Sequence, residues 1–174
     1  AVSDAAVTIN DADTTAITAA ELSAIGGSTT GTVTVTNAVA ITGSTAQVTA
    51  ALVTAGTLVD VSDATVTIND TPSISELNAI AAKTTGVVTA TLAANSLANL
   101  AALTTAGTDA ITITVNDADA AALTAADLST LGGKTAGTVT VTNAVAITGD
   151  HDQLTAALVT AGTKVVVSDA TATV

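Results

Sequence analysis

The chain has 174 residues, a formal net charge of −12, and no aromatic residue, cysteine or methionine. Its only cations apart from one histidine are three lysines, so we predict neither a nucleic-acid partner nor binding to an anionic membrane surface, since both need clustered lysine and arginine. Without cysteine there is no disulfide and no thiolate metal site, and polar residues interrupt every apolar run well before the roughly 18 residues of a membrane span.

Short strands and helices alternate along the chain, as two kinds of hydrophobic spacing predict. Period-2 alternation of apolar residues predicts strands, and apolar residues three or four apart predict helices. In chain order we predict helix 17–25, strands 33–38 and 39–41, helix 45–55, strands 59–64 and 66–68, helix 73–82, strand 88–93, helix 96–106, strand 113–118, helix 123–131, strand 139–144, helix 153–161 and strand 165–170. Ser73 with Glu76 forms a capping box, and Thr124 with Asp127 a weaker one.

The strands repeat. T-V-T-V-T-N-A-V-A-I-T-G occupies residues 32–43 and again 138–149, and related strands recur about every 26 residues. Strand–helix–strand units with short connections make parallel neighbours with right-handed crossovers. The sequence therefore predicts an α/β solenoid of about six coils of ~26 residues, with a parallel β-sheet on one side and α-helices on the other.

We expect residues 1–174 to form a single, open-ended repeat domain. Residues 166–174 replay residues 1–9, and no polar cap is visible at either end of the array. This pattern predicts either a fragment of a longer array or a unit that assembles head to tail, so the expected partner is a second copy of the chain.

One position in each coil holds a polar residue just after the strand. Its occupants are Asp4, Asn37, Asp63, Asp117, Asn143 and Asp169, with Leu92 in the degraded copy. Asn37 and Asn143 share the inward parity of the valines before them, an arrangement that resembles the asparagine ladder of leucine-rich repeats and parallel β-helices. We interpret these residues as a structural corner ladder that accepts backbone N–H bonds.

Two acidic loops suggest calcium as an alternative. Asn10-Asp11-Ala12-Asp13 and Asn116-Asp117-Ala118-Asp119 occupy equivalent places, and Asn69-Asp70 is a partial copy. Ca²⁺ takes 6–8 oxygen ligands, so Asp11, Asp13, Asp70, Asp117 and Asp119 are the candidate ligands, with help from carbonyls, water or a neighbouring coil. The structural interpretation of the same loops is an Asx turn followed by a helix N-cap.

Threonines alternate with the inward valines and should line the outer face of the strands. They are Thr32, Thr34, Thr36, Thr89, Thr91, Thr112, Thr114, Thr138, Thr140 and Thr142. Ranks of T-x-T on stacked strands look like ice-binding solenoids, with ~4.7 Å between strands. Asp60 and Val166 interrupt the array, and threonine is also simply suited to the solvent face of a strand.

Catalytic chemistry is poorly represented. The only histidine is His151, between Asp150 and Asp152, where the earlier copy has Thr45 between Ser44 and Ala46. The histidine therefore stands outside the repeat plan, and we expect it at a solvated helix start. The G-G-S-T and G-G-K-T segments lack the remaining P-loop glycine and are better interpreted as helix ends, so we expect no enzyme activity.

The phrases V-S-D-A…V-T-I-N-D and L-T-A-A-D-L-S-T-L-G-G-K-T…G-T-V-T-V-T-N-A are set in a chain rich in alanine, threonine, valine and aspartate. They resemble the repeat regions of giant secreted or cell-surface bacterial proteins of adhesin, S-layer and RTX-neighbourhood type. The resemblance implies an extracellular or cell-surface location, a structural role as layer, filament or adhesin stalk, and calcium dependence. The alternative is a binding module that presents the threonine face to a glycan, a protein or ice.

Overall fold

The computed structural model describes residues 3–174 as two compact units, the first ending at Ala90 and the second spanning Thr91–Val174. Unit 1 contains β1 Val7–Ile9, β2 Ala16–Thr18, α1 Ala19–Gly26, β3 Val33–Val35, β4 Ala40–Gly43, α2 Thr45–Leu52, β5 Thr65–Ile68, α3 Ile74–Ala81 and β6 Val88–Thr91, in which the boundary falls. Unit 2 contains α4 Leu97–Leu100, β7 Ala110–Val115, β8 Ala122–Thr124, α5 Ala125–Gly132, β9 Val139–Val141, β10 Ala146–Thr148, α6 His151–Leu158, β11 Val165–Val167 and β12 Thr171–Thr173.

Strands in both units pair in parallel. In unit 1, β1 pairs with β3, and a second sheet has the order β2-β4-β5-β6. In unit 2 the corresponding sheets have the orders β7-β9-β11 and β8-β10-β12. The expected α/β class with parallel sheets is thereby confirmed. Inward residues of these strands form a core of valine, isoleucine, leucine and alanine, since the chain has no larger apolar side chain to bury.

Unit 1 and unit 2 each contain one copy of the same series of strands and helices. Residues 5–68 and 111–174 correspond at a constant offset, so that β1 to β5 reappear as part of β7 and as β8, β9, β10 and β12. Even an unusual backbone feature recurs, because Thr14 and Ala120 stand at equivalent places with φ of 64° and 61°. Each unit therefore serves as an internal reference for the other.

Four predicted elements differ most clearly from those observed. Helices 17–25 and 123–131 begin later, at α1 and α5, because Thr18 and Thr124 are extended N-cap residues and the residues before them pair as β2 and β8. Strand 59–64 reduces to one bridge between Thr34 and Asp60. Helix 96–106 reduces to α4, after which Leu103 N donates to Leu100 O in a tighter three-residue turn.

A T-x-G motif joins segments of backbone that are distant in sequence. The hydroxyls of Thr29, Thr84 and Thr135 each accept the N–H of the glycine two residues later and donate to a carbonyl 20 or 24 residues earlier in the chain. A Cβ on the glycine would lie 2.3 Å from that same carbonyl oxygen in all three places. Glycine is therefore needed there for close approach of two backbones.

Candidate functional site

The two N-D-A-D loops have the same internal geometry. Asn37 Nδ2 donates to the carbonyl oxygens of Asn10 at 3.3 Å and of Asp11 at 2.6 Å. Asn143 Nδ2 repeats the pattern on Asn116 at 3.4 Å and Asp117 at 2.6 Å. Each asparagine side chain thus connects its loop to the segment about 26 residues later, as an amide donor to carbonyls and not as an acceptor of N–H groups.

The second aspartate of each loop fixes a tight turn. Asp13 Oδ1 accepts the N–H of Ala38 at 3.0 Å, and Asp119 Oδ1 accepts that of Ala144 at 3.1 Å. The next residue, Thr14 or Ala120, has positive φ, and its N–H donates to the carbonyl of the same alanine. A residue other than glycine with positive φ carries a conformational cost, and two hydrogen bonds from one neighbouring residue offset it here.

The first aspartate of the motif binds the start of a helix that precedes it in the chain. Asp70 Oδ1 accepts the backbone N–H of Thr45, the first residue of α2, at 2.7 Å, and it also accepts the Thr45 hydroxyl. Asp117 Oδ2 accepts the N–H of Leu97, the first residue of α4, also at 2.7 Å. The hydroxyl and then the N–H of Thr45 lower the pKa of Asp70 below its ordinary value.

Asp11 stands at the equivalent place in unit 1, but its carboxylate is exposed and makes no hydrogen bond with the described residues 3–174. The remaining members of the predicted ladder do not share the geometry of Asn37 and Asn143. Asp4, Asp63 and Asp169 are exposed in turns, with Asp63 accepting the Ser62 hydroxyl, and Leu92 is buried. The corner geometry is thus built around Asn37 and Asn143 with the loops that precede them, Asn10–Asp13 and Asn116–Asp119.

The candidate calcium ligands do not form a complete shell. Three of them, Asp13, Asp70 and Asp119, hold backbone N–H groups, and Asp117 holds a fourth. Within residues 3–174 no group of three or more histidine, cysteine, aspartate or glutamate side chains is arranged to hold a metal ion. Calcium binding by these loops therefore stays a prediction, and none of the hydrogen bonds described here depends on it.

The predicted threonine face is exposed, in short rows. All ten candidate residues are exposed or half-buried, as their outward parity predicts. Thr34 is in register with Thr8 on one side and bridges to Asp60 on the other, while Thr140 lies between Thr114 and Val166. Each row on this sheet is therefore only two threonines wide.

A longer threonine row lies on the second sheet of unit 1. Thr18, Thr42, Thr67 and Thr89 are in direct register across β2, β4, β5 and β6. Thr124, Thr148 and Thr173 form the matching row in unit 2. Of these seven, sequence reasoning placed only Thr89 on an exposed threonine face. The signal was present in the phrase A-I-T, which occurs at 16–18, 40–42, 110–112 and 146–148. The T-x-G motif was likewise not identified from the sequence.

His151 begins α6 and is exposed, with Nδ1 3.2 Å from Asp152 Oδ1. Asp150 is the N-cap of this helix and completes a capping box with Gln153. No helix among residues 3–174 is both long and apolar enough to cross a membrane. Comparison with protein-family models, with curated proteins and with solved structures finds no match to this chain.

Proposed function

We propose that this chain is a non-enzymatic structural repeat protein of the cell surface or extracellular space, acting as part of a layer, filament or adhesin stalk. The finer architecture that goes with this function is a right-handed α/β solenoid with coils of ~26 residues, about six of them along the sequence. In such a protein the stacked coils perform the structural role directly, because stacking buries a continuous core and gives the molecule its length.

One observation carries the proposal: the bonds that join neighbouring coils are the repeated part of the molecule. Three kinds of bond recur in both units: the Asn amide donates to two carbonyls, the aspartate accepts the N–H of the alanine that follows this Asn, and the T-x-G hydroxyl donates to an earlier carbonyl. Side chains that converge on a pocket would be expected of an enzyme. Here the recurring polar side chains form hydrogen bonds between neighbouring coils instead.

Electron microscopy at micromolar protein concentration tests this function, in parallel samples with calcium and with chelator. We expect filaments or sheets, because β2 and β12 lie at the ends of their sheets and parallel stacking can extend an edge strand. Filaments that dissolve in chelator would add calcium to the proposal, and the N-D-A-D loops would be the first targets. Isolated particles in both conditions would contradict a self-assembling structural role.

The runner-up function is a binding module, favoured by the four-residue row Thr18–Thr42–Thr67–Thr89. In-register strands set a repeat of ~4.8 Å, which suits a periodic ligand such as ice or a crystalline polysaccharide. Replacement of Thr42 and Thr67 by tyrosine should then abolish ice-recrystallisation inhibition or pull-down on insoluble polysaccharide, whereas the same change at Thr34 and Thr140 should not. Lack of both activities in the unaltered protein would remove this alternative.

A further inference from the structure

We propose that two copies of this chain associate head to tail, with the β1–β2–α1 face of one copy bound to the α6 face of another and with the Asp11 carboxylate accepting the His151 N–H. The inference rests on the proposed structural function and names the contact that would produce it. It is drawn from a comparison of equivalent residues in the two units.

The β1–β2–α1 face, called here the head face, is uncovered in unit 1 and covered in unit 2. Ile25 of α1 is 36% exposed, whereas its equivalent Leu131 is 1% exposed. Ile17 is half-buried, and its equivalent Leu123 is buried. In unit 2 the short helix α4 packs against α5 and supplies that cover.

A hollow on the head face lacks the helix that lines its equivalent in unit 2. In unit 1 it is lined by Asp11, Ile17, Glu21 and Ile25. The equivalent hollow in unit 2 is lined by Asp117, Leu123 and Asp127 together with Leu97, Ala98 and Ala101 from α4. The head face thus has the shape of a seat for the first turns of a helix, and Asp11 stands where Asp117 holds the N–H of that helix.

The α6 face, called here the tail face, shows the complementary lack. Its equivalent in unit 1 is α2, which packs between α1 and α3. Val48 and Leu52 of α2 are fully buried, whereas the equivalent Leu154 and Leu158 of α6 are half-buried. Val159 after α6 is 70% exposed, while Val53 after α2 is half-buried.

The segment that packs on α2 is similar in sequence to the segment that forms the head face. Residues 62–70, S-D-A-T-V-T-I-N-D, match residues 3–11, S-D-A-A-V-T-I-N-D, at eight of nine positions. Helix α3 reads E-L-N-A-I after its cap and α1 reads E-L-S-A-I, and both begin with a complete capping box. A second copy therefore offers to α6 the segment type that α2 already binds in its own unit.

Asp11 and His151 fix the register of the contact. In this chain the aspartate of the motif binds the first N–H of the preceding helix twice, as Asp70 on Thr45 and Asp117 on Leu97. His151 is the first residue of α6, equivalent to Thr45, and its N–H is one of those that a helix leaves without an internal acceptor. Asp11 is the remaining aspartate of the motif, and its carboxylate has no partner among residues 3–174.

One strand must yield to make this contact. Residues 168–174, S-D-A-T-A-T-V, hold on β10 the position that β5 holds on β4. All three residues of β12 are exposed, and Ala172 stands where β5 has the buried Val66. In the proposed contact residues 3–9 of the second copy replace this weaker strand, so the association is a strand exchange at the tail face.

Sedimentation velocity with interference optics tests the proposal on the full chain, as a function of concentration. Ile25→Asp blocks the head face and Val159→Asp blocks the tail face, both at positions exposed enough to accept a charge. Each variant alone should remain monomeric, and an equimolar mixture should form a dimer and nothing larger, because each partner contributes one intact face. Val87→Asp, at 39% exposure away from both faces, is the matched control and should assemble like the unaltered chain.

Asp11→Ala tests the register, with Asp60→Ala as the control for loss of one exposed carboxylate. We expect the dissociation constant to rise about tenfold or more for Asp11→Ala only, the usual effect of losing a charge-assisted hydrogen bond. Circular dichroism should show unchanged folding in both variants. Assembly that survives both blocking variants, or equal effects of the two alanine variants, overturns the contact while leaving a structural function in place. A chain that stays monomeric throughout overturns both.

Discussion

Glycine at the T-x-G motif is the residue on which the close approach of two backbone segments most directly depends. Gly137→Ala would bring a Cβ to 2.3 Å from the Ile111 carbonyl oxygen, which is backbone and cannot move aside. We expect a loss of about 1–3 kcal/mol of unfolding free energy, the usual range for overpacking. Gly162→Ala is the control, because no atom lies within 4 Å of its Cβ, and it should be neutral or slightly stabilising.

Far-ultraviolet circular dichroism is the measurement for this pair, since the chain has no tryptophan or tyrosine to report unfolding by fluorescence. Urea midpoints of the two alanine variants should differ clearly with unchanged slopes. Equal midpoints would mean that the close approach of the Gly137 and Ile111 backbones makes no measurable contribution to the unfolding free energy.

Asn143 tests the corner at the same scale. Asn143→Ala removes two donated hydrogen bonds and leaves the carbonyls of Asn116 and Asp117 with water as their only replacement partner. We expect a loss of about 1 kcal/mol in the same urea experiment. Asn69→Ala, an exposed asparagine in the partial copy of the loop, should change the midpoint little, and a similar loss there would contradict a specific corner role.

At the scale of elements, the capping carboxylates link helix stability to pH. The Ser73 hydroxyl, and then its N–H, lower the pKa of Glu76 below its ordinary value, and Thr18 does the same for Glu21. Because these pKa values are lowered on folding, their contribution is fully present above about pH 4.3, the ordinary glutamate value, and is lost as the pH falls through the lower folded pKa.

Glu76→Gln removes this titration from α3 while keeping an amide at the cap. The unfolding free energy of the variant should therefore fall less steeply than that of the unaltered chain between about pH 5 and pH 3. Urea unfolding across that range measures the slope. Parallel curves for the two proteins would mean that the Glu76 cap does not contribute to folding.

Sequence reasoning succeeded where a local pattern was sufficient and failed where contacts with residues distant in sequence decided the outcome. The helix at 73–82 was predicted within one residue at each end, because Ser73 and Glu76 set its start locally. The helix at 96–106 was overestimated, because Leu97, Leu100 and Leu103 are spaced by three and fit a tight turn as well as a helix.

The candidate sites divide in the same way. The alternation of threonine and valine was sufficient to predict outward threonines, but the register that makes the row Thr18–Thr42–Thr67–Thr89 depends on strands far apart in sequence. Likewise, Asp11, Asp70 and Asp117 were grouped by their motif as metal ligands. Asp70 and Asp117 share a kind of partner, the first N–H of an earlier helix, and this contact is visible only in the folded structure.

For the whole molecule, the net charge of −12 opposes any association of two copies. Raising the ionic strength from 0.01 M to 0.15 M shortens the screening length from about 30 Å to about 8 Å. We therefore expect sodium chloride, with chelator present, to lower the dissociation constant measured by sedimentation. Dissociation on adding salt would instead mean that attraction between opposite charges holds the copies together.

The uniform direction of the strands has a consequence for anything built from this chain. The strand pairings described within the two units are all parallel, so an assembly that continues them is polar. A free Asp11 lies at one end of it and a free His151 N–H at the other. The two extremities then differ in chemistry, so monomers can add at unequal rates and a single terminator molecule can stop growth at either one. A fibre of this kind can be rooted at one extremity while it lengthens from the other.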